Sequence, residues 1–397
     1  MMVLSIRKAF NEQFSSVKYN ALLKELDDLY PGAIQFRLAE TPVFIPKHFS
    51  AKMISACESI INIITEPAFM DLTVNSIPAK DKVPGTYGYP QMIAFDFGIC
   101  IDENRTLEPQ LIEMQGFPSL YAFQVIYPDI LKKHFSIPSD YTHYLGGYDR
   151  STYTKLFRDI LLGHHQPENV ILLEIKPHEQ KTRVDFYCTQ HLTGIQPVCI
   201  TELFKEGNEV FYHLNGKKTR INRIYNRVIF DELHTRNDLG NIIDIREEMN
   251  VEWVPHPDWF YRISKYTLPY IHHPFVPETF FLNQIRQLPQ DLDHYVLKPL
   301  FSFAGQGVII DVKQDDIKKI QDPENWILQK KVNYADVIET PGIPAKAEIR
   351  VMYLWEDGAP RPVPAINLAR LSKGKMIGTR YNKDKDWVGG SVAFFEK

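Results

Sequence analysis

The stretch MIAFDFGICIDENRTLEPQLIEMQG, Met92 to Gly116, sets two strand-like runs either side of a polar turn. IAFDFGICID alternates irregularly and QLIEMQ reads the same way, while the DENRT between them carries turn residues. Antiparallel pairing with a turn centred between Asn104 and Arg105 sets Asp96 opposite Glu113. Glu113 and Gln115 are two residues apart and so share one face. One face of one hairpin then displays Asp96, Glu113 and Gln115. Two carboxylates and an amide oxygen are hard ligands of the kind that hold magnesium against substrate phosphates. The alternative is an ordinary polar face on a half-solvated hairpin, and a one-residue slip would break the cluster.

A second stretch points to the same ligand class. YVLKPLFSFAGQGVIID, Tyr295 to Asp311, joins two apolar runs through Lys298-Pro299 and a small-residue loop containing Ser302, Gly305, Gln306 and Gly307. The connection is longer than a hairpin requires. Its glycines let backbone N–H groups converge on an anion, and Lys298 supplies a point charge beside them. Read alone, Lys298 could equally be a surface lysine at a strand end.

The bulk properties exclude several classes. A chain of 397 residues buries a large core in two or three lobes. Its 44% hydrophobic and 24% charged content is that of a globular protein. The net charge of −4 argues against nucleic acid as a partner. Arg7, Lys8 and Glu12 interrupt what would be the apolar part of a signal peptide, and runs such as Ile60 to Ile64 are too short to span a bilayer. Cys57, Cys100, Cys188 and Cys199 lie far apart with no CxxC spacing and read as reduced thiols, so the expected location is cytoplasmic. The pairs His164-His165 and His272-His273 have no acidic or cysteine partner at ligand spacing and read as loop residues.

Three regions follow. Residues 1–140 hold helices and the hairpin, with a helix expected from Ser50 as N-cap. Residues 141–257 hold a helix ending at Gly163, then the strand NVILLEI, a helical stretch around Gln180 to His191 and the strand IQPVCI, a βαβ unit and hence a small parallel-sheet lobe. Residues 258–397 hold a helix around Ile263 to Tyr270 and several strands. The fold class is mixed α/β, or α+β. Oligomeric state is unreadable, with a homodimer the base-rate expectation.

There is no GxxxxGK[ST] and no GxGxxG after a strand. In its order of motifs the chain resembles the ATP-grasp superfamily. RISKYTLPYIHHPFVPETFFL from Arg262 resembles the segment leading into the nucleotide site, with Lys265 on its helix. VLKPLFSFAGQGVII is similar to the lysine-proline strand and glycine loop. WILQKKV resembles the hinge strand along the adenine, with Gln329, Lys330 and Lys331. AEIRVMYLWEDG resembles the arginine strand, with Arg350. NLARLSKGKMIGTRYNKDKDWVGGS resembles the closing segment, with Arg370 and Asn382. The acidic metal strands, last in most of that superfamily, lie here at the front, an order similar to the circularly permuted ATP-grasp proteins and above all the synthetase half of glutathionylspermidine synthase.

The resemblance implies ATP and magnesium, and amide-bond formation between small-molecule or peptide acid and amine substrates through an acyl phosphate. It assigns the metal to Asp96, Glu113 and Gln115, the phosphates to Lys265, Lys298 and the glycine loop, and the reacting centre to Arg350, Arg370, Asn382 and Lys298. Gln115 stands where the family usually has asparagine, Lys330 where many relatives carry an acid, and Ala94-Phe95 where the synthetase has an arginine. No cysteine-histidine amidase half precedes the region. Two other readings stay open: a nucleotide-binding module without turnover, and a non-enzymatic binding protein.

Overall fold

The computed structural model describes residues 3–86, 88–301, 307–374, 377, 382 and 384–397. Its architecture is mixed α/β with five sheets among those residues. The largest has five antiparallel strands in the spatial order Gly389–Ser391, Val363–Ser372, Lys346–Leu354, Met92–Ile101, Leu107–Gln115. The front hairpin is thus completed by strands from the far end of the chain, with Asp96 paired to Arg350 and Gly98 to Glu348.

Alternation along the strands gives this sheet two unlike faces. Ile93, Phe95, Phe97, Ile99, Ala347, Ile349, Val351, Tyr353, Ala369 and Leu371 all join one core. That core is closed by the helix Lys47–Ile64, which buries Phe49, Met53, Ala56, Cys57, Ile60, Ile61 and Ile64. Each such large side chain contributes roughly 1.5–3 kcal/mol. The helix starts four residues earlier than expected, with Pro46 rather than Ser50 at the N-cap position, and the Lys47 N–H donates to the Glu396 carboxylate at 2.8 Å. A cap from the chain's other end leaves no trace in local sequence. The sheet's second face is apolar at one end, where Met92, Met352, Leu354, Ile366 and Leu368 join a second core, and charged at the other, with Asp96, Glu348, Arg350 and Arg370.

The seam between the chain's two ends continues beyond this sheet. Val43–Ile45 runs parallel to Ala393–Glu396, which pairs antiparallel with Tyr141–Thr142. Asn367, fully buried, ties the two sheets together: its Nδ2 donates to His143 O at 2.8 Å and Ala393 O at 2.9 Å, and its Oδ1 accepts from Ala393 N at 2.8 Å.

The small lobe is the parallel sheet expected from its βαβ pattern. Val170–Glu174, helix Arg183–Thr193 and Gln196–Cys199 form the unit. Arg223–Asn226 and Glu252–Val254 extend the sheet on the opposite side of Val170–Glu174. A four-stranded antiparallel sheet, in the order Thr279–Phe281, Trp326–Lys330, Tyr295–Pro299, Ile309–Ile310, carries Lys298. It packs Leu282, Leu292, Leu297, Val312 and Leu328 on one side. The helix expected around Ile263 to Tyr270 is instead a short turn, Trp259–Arg262, followed by a 3-10 helix, Lys265–Tyr270, that contains Pro269; a proline there removes an α-helical hydrogen bond.

Gly389 makes the seam possible. It sits at φ +127°, and a Cβ there would lie 2.3 Å from Arg37 O. Gly389→Ala is therefore expected to destabilise the fold by roughly 3 kcal/mol, read as a lower denaturation midpoint at unchanged m-value; an unchanged midpoint would contradict the close approach.

Candidate active site

The charged end of the large sheet is built around Asp96, only 2% exposed. Because Asp96 and Arg350 are direct cross-strand partners, the guanidinium grips the carboxylate through both oxygens: Nε to Oδ1 at 2.6 Å and Nη2 to Oδ2 at 2.7 Å. Arg370, from the next strand, adds Nη2 to Oδ2 at 2.7 Å. Burial opposes the Asp96 charge, yet the two arginines outweigh it and hold the carboxyl below the usual carboxylate range. Burial likewise opposes the Arg370 charge, but Glu348, Asp96 and Glu113 together raise it above its ordinary value. Glu348 behaves oppositely: burial raises it against the pull of Arg370. Its Oε1 accepts from Tyr334 Oη at 3.3 Å. Tyr334 lies on Gly98, where a Cβ would approach its ring to 2.7 Å.

A bulge decides where Glu113 points. Near the turn the hairpin pairs Ile101 with Leu107 and Phe97 with Leu111, a register that would set Ile112 opposite Asp96. The irregularity between Asp96 and Phe97 skips Ile112 and brings Glu113 opposite Asp96. Without it, Glu113 would turn toward the helix-covered core. The pairing expected from the turn therefore holds at Asp96, but only beyond this irregularity. Gln115 follows, paired with Ala94, its Nε2 donating to Phe117 O at 3.3 Å. The Glu113 carboxylate has no hydrogen-bond or ion-pair partner among the described residues, and it lies in the fields of Lys265, Lys298 and Arg370. Asp96, Glu113 and Glu348 do not bring one oxygen each to a common point among the described residues.

The small antiparallel sheet turns the face that carries Lys298 to this hairpin. Thr279, Gln329, Val296 and Lys298 lie on one face by pairing and alternation. Lys298 Nζ donates to Gln329 Oε1 at 2.6 Å and to the carbonyl of the skipped Ile112 at 3.3 Å. Gln329 Nε2 in turn donates to Thr279 Oγ1 at 3.0 Å. Sequence reasoning set the backbone of Gln329 along an adenine and gave its side chain no role; that side chain orients Lys298. Burial pushes the Lys298 ammonium down to about 8, with Glu113 opposing and Lys265 adding to the shift. Lys265, 8% exposed, is lowered by burial against the pull of Glu113 and Asp231.

The backbone at Lys330 and Lys331 is tied to the protein itself. Lys330 N donates to Glu278 O at 2.8 Å and Lys331 N to His294 O at 2.7 Å. The Lys330 side chain is exposed, and Lys331 pairs with Asp311. Gly307 adopts φ +71°; Ser302, Gly305 and Gln306 lie outside the described residues.

Beyond Arg350 and Arg370 opens a cavity of about 910 Å³, bounded also by Arg37, Lys181, Asn382 and Gly390. Arg350 Nη1 has no hydrogen-bond partner among the described residues, and its guanidinium lines this space. Asn382 holds the cavity wall: its Oδ1 accepts from Lys373 N at 2.9 Å and its Nδ2 donates to Ser372 Oγ at 2.8 Å.

The small lobe adds groups that the sequence left almost silent. Strand order reverses between Val170–Glu174 and Arg223–Asn226, where ligands commonly bind at strand C-termini. Glu174 and Arg227 sit there. Burial pushes Glu174 up to about 8 despite Arg227. Arg227, stacked 4.8 Å above the Phe117 ring, has no hydrogen-bond partner for Nε or Nη1 among the described residues. Asp185, on helix Arg183–Thr193, holds the segment that follows the hairpin by accepting from Leu120 N, Ala122 N and Phe123 N at 3.1, 2.9 and 2.9 Å. Only the strand end Tyr225-Asn226-Arg227 stood out in sequence as cleft-lining.

No family model matches the chain, and no curated protein matches it. Among solved structures, it is similar over nearly its whole length to an apo glutathione synthetase-like effector from Globodera pallida. The TM-score is 0.58 at 10% sequence identity, covering 97% of this chain and 98% of that one. The fold is glutathione synthetase-like. No helix among the described residues is long and apolar enough to cross a membrane.

Removing Asp96 strands two arginines in a buried site. Asp96→Ala is expected to cost about 3–5 kcal/mol, whereas Gln115→Ala should cost less than ~1 kcal/mol. Equal losses in urea denaturation would contradict the assignment of Asp96 as the anchor.

Proposed function

We propose that this protein is an ATP-dependent, ADP-forming carboxylate–amine ligase, an ATP-grasp enzyme in circularly permuted order that makes an amide or peptide bond. The observation carrying this reading is the convergence of Lys298, Lys265 and the bare Glu113 carboxylate between the hairpin and the small sheet, next to Arg350 and the large cavity. In this reading residues 1–140 supply the metal side, 141–257 a substrate lobe, and 258–397 the nucleotide side.

The chemistry follows from a carboxylate's poor reactivity at neutral pH. An oxygen of the acid attacks the γ-phosphorus of ATP, the bond to the β,γ-bridging oxygen breaks, and ADP leaves. The amine nitrogen then attacks the acyl carbon, and phosphate departs as the proton is lost. Catalysis of the first step is largely positioning and charge neutralisation. Lys298 and Lys265 would meet the phosphates, with the glycine loop over them. Arg350, fixed through two of its nitrogens by Asp96, aims Nη1 at the cavity where the acid's developing charge appears; Arg370 borders the same space. Arg227 and Glu174 would meet substrate groups reaching the small lobe.

Magnesium, when bound, would neutralise phosphate charge. Glu113 fits it best, being a bare carboxylate, with the Gln115 amide oxygen two residues on. Asp96 is committed to its arginines, which favours a second reading, a nucleotide-binding module without turnover.

Saturating ATP and magnesium should stabilise the protein by about 2.7 kcal/mol at a hundredfold excess over Kd, and Lys298→Met should weaken binding at least tenfold. Lys298 is charged below about pH 8, so affinity should fall as pH rises through that value, by up to about tenfold per unit. Absence of ATP binding would end both nucleotide readings. Binding without ADP release across a panel of acids and amines would favour the module.

A further inference from the structure

The pair His164-His165, which follows the C-terminal turn of helix Arg150–Leu162, gains in three dimensions the acidic partner that it lacks in sequence. Glu252, at the start of the edge strand of the parallel sheet, comes against both histidines. One ligand atom from each of the three lies within 4.8 Å of the others. His165 Nε2 is 3.2 Å from Glu252 Oε1 and is buried, yet it has no hydrogen-bond partner among the described residues. That ion-pair distance also suits two ligands on one tetrahedral ion, since bonds of about 2.0–2.1 Å place neighbouring ligand atoms roughly 3.3–3.4 Å apart. The two imidazole rings have centroids 4.0 Å apart.

The surroundings fix the carboxylate for this use. Arg223 holds the other oxygen of Glu252 through Nη1, while its Nη2 reaches Asp357 Oδ2 at 2.7 Å and Ile160 O at 2.8 Å. Outer groups that hold a ligand in this way commonly orient metal sites. Arg223 comes this close because Gly163 leaves it room: a Cβ there would lie 3.0 Å from Nη1. With neutral histidines, Glu252 and Asp357 outweigh Arg223 by one negative charge, so a divalent cation is not repelled. A cavity of about 360 Å³ bounded by His164, Glu252, Arg223 and Asp357 gives solvent room to complete the coordination.

We propose that His164, His165 and Glu252 form a binding site for a late first-row divalent metal such as zinc, nickel or cobalt, separate from the proposed ligase site. Two imidazole nitrogens and one carboxylate select these borderline ions over magnesium or calcium. The ion joins the end of helix Arg150–Leu162 to the edge strand, and through Arg223 and Asp357 to the turn between two strands of the large sheet.

The test is a titration of the chelator-treated full-length protein with zinc(II), and separately with cobalt(II) followed by visible absorption. One equivalent should bind, cobalt should give the intense bands of a tetrahedral site, and the melting temperature should rise. His164→Ala and the isosteric Glu252→Gln should each weaken binding at least tenfold while circular dichroism stays native, and His272→Ala should change nothing. Failure of the folded wild type to take up one equivalent, or uptake that survives both substitutions, would overturn the site.

Discussion

Two buried charged groups on adjacent strands, Asp96 and Arg350, with the partly exposed Arg370 on the next strand, constrain the rest of the structure. Asp96 and Arg350 are each costly to bury alone and tolerable together, because the bidentate grip and the third contact, from Arg370, satisfy the carboxylate on both oxygens. Slipping any of the three strands by one residue would send one member to the apolar face under helix Lys47–Ile64. The ion cluster therefore penalises every register but one. It also fastens a hairpin from the front of the chain into a sheet whose other strands come from its end.

Once the hairpin is fixed, the local irregularity at Ile112 does two things at once. It rotates Glu113 onto the charged face beside Asp96, and it frees a carbonyl that Lys298 reaches from the opposing sheet. Gln329 and Thr279 hold Lys298 in that direction before any ligand arrives. An ammonium held half-desolvated between two sheets gains most from a polyanion, because few water contacts must be given up when a phosphate enters.

Much of this was legible in sequence. The hairpin, the βαβ unit of residues 141–257 and the placing of Lys298 before a proline all follow from local pattern; the opposition of Asp96 and Glu113 was expected too, but it is reached through an irregularity that local pattern does not show. What escaped depends on distant partners. The start of helix Lys47–Ile64 is set by Glu396, the role of Gln329 by the facing strand, and the need for Gly98 by Tyr334. Glu174 and Arg227 converge only because strand order reverses between them. Glu252 meets His164 and His165 only through the parallel sheet. Periodicity reports which face a side chain takes, not which residue waits opposite.

The central claim is that the front hairpin and the rear small sheet close over a single triphosphate. A crystal structure with a non-hydrolysable ATP analogue and magnesium tests it most directly. The account predicts a γ-phosphate within hydrogen-bond distance of Lys298 Nζ, with the metal on Glu113. Nucleotide bound elsewhere, or a hairpin whose Glu113 takes no part, would contradict it.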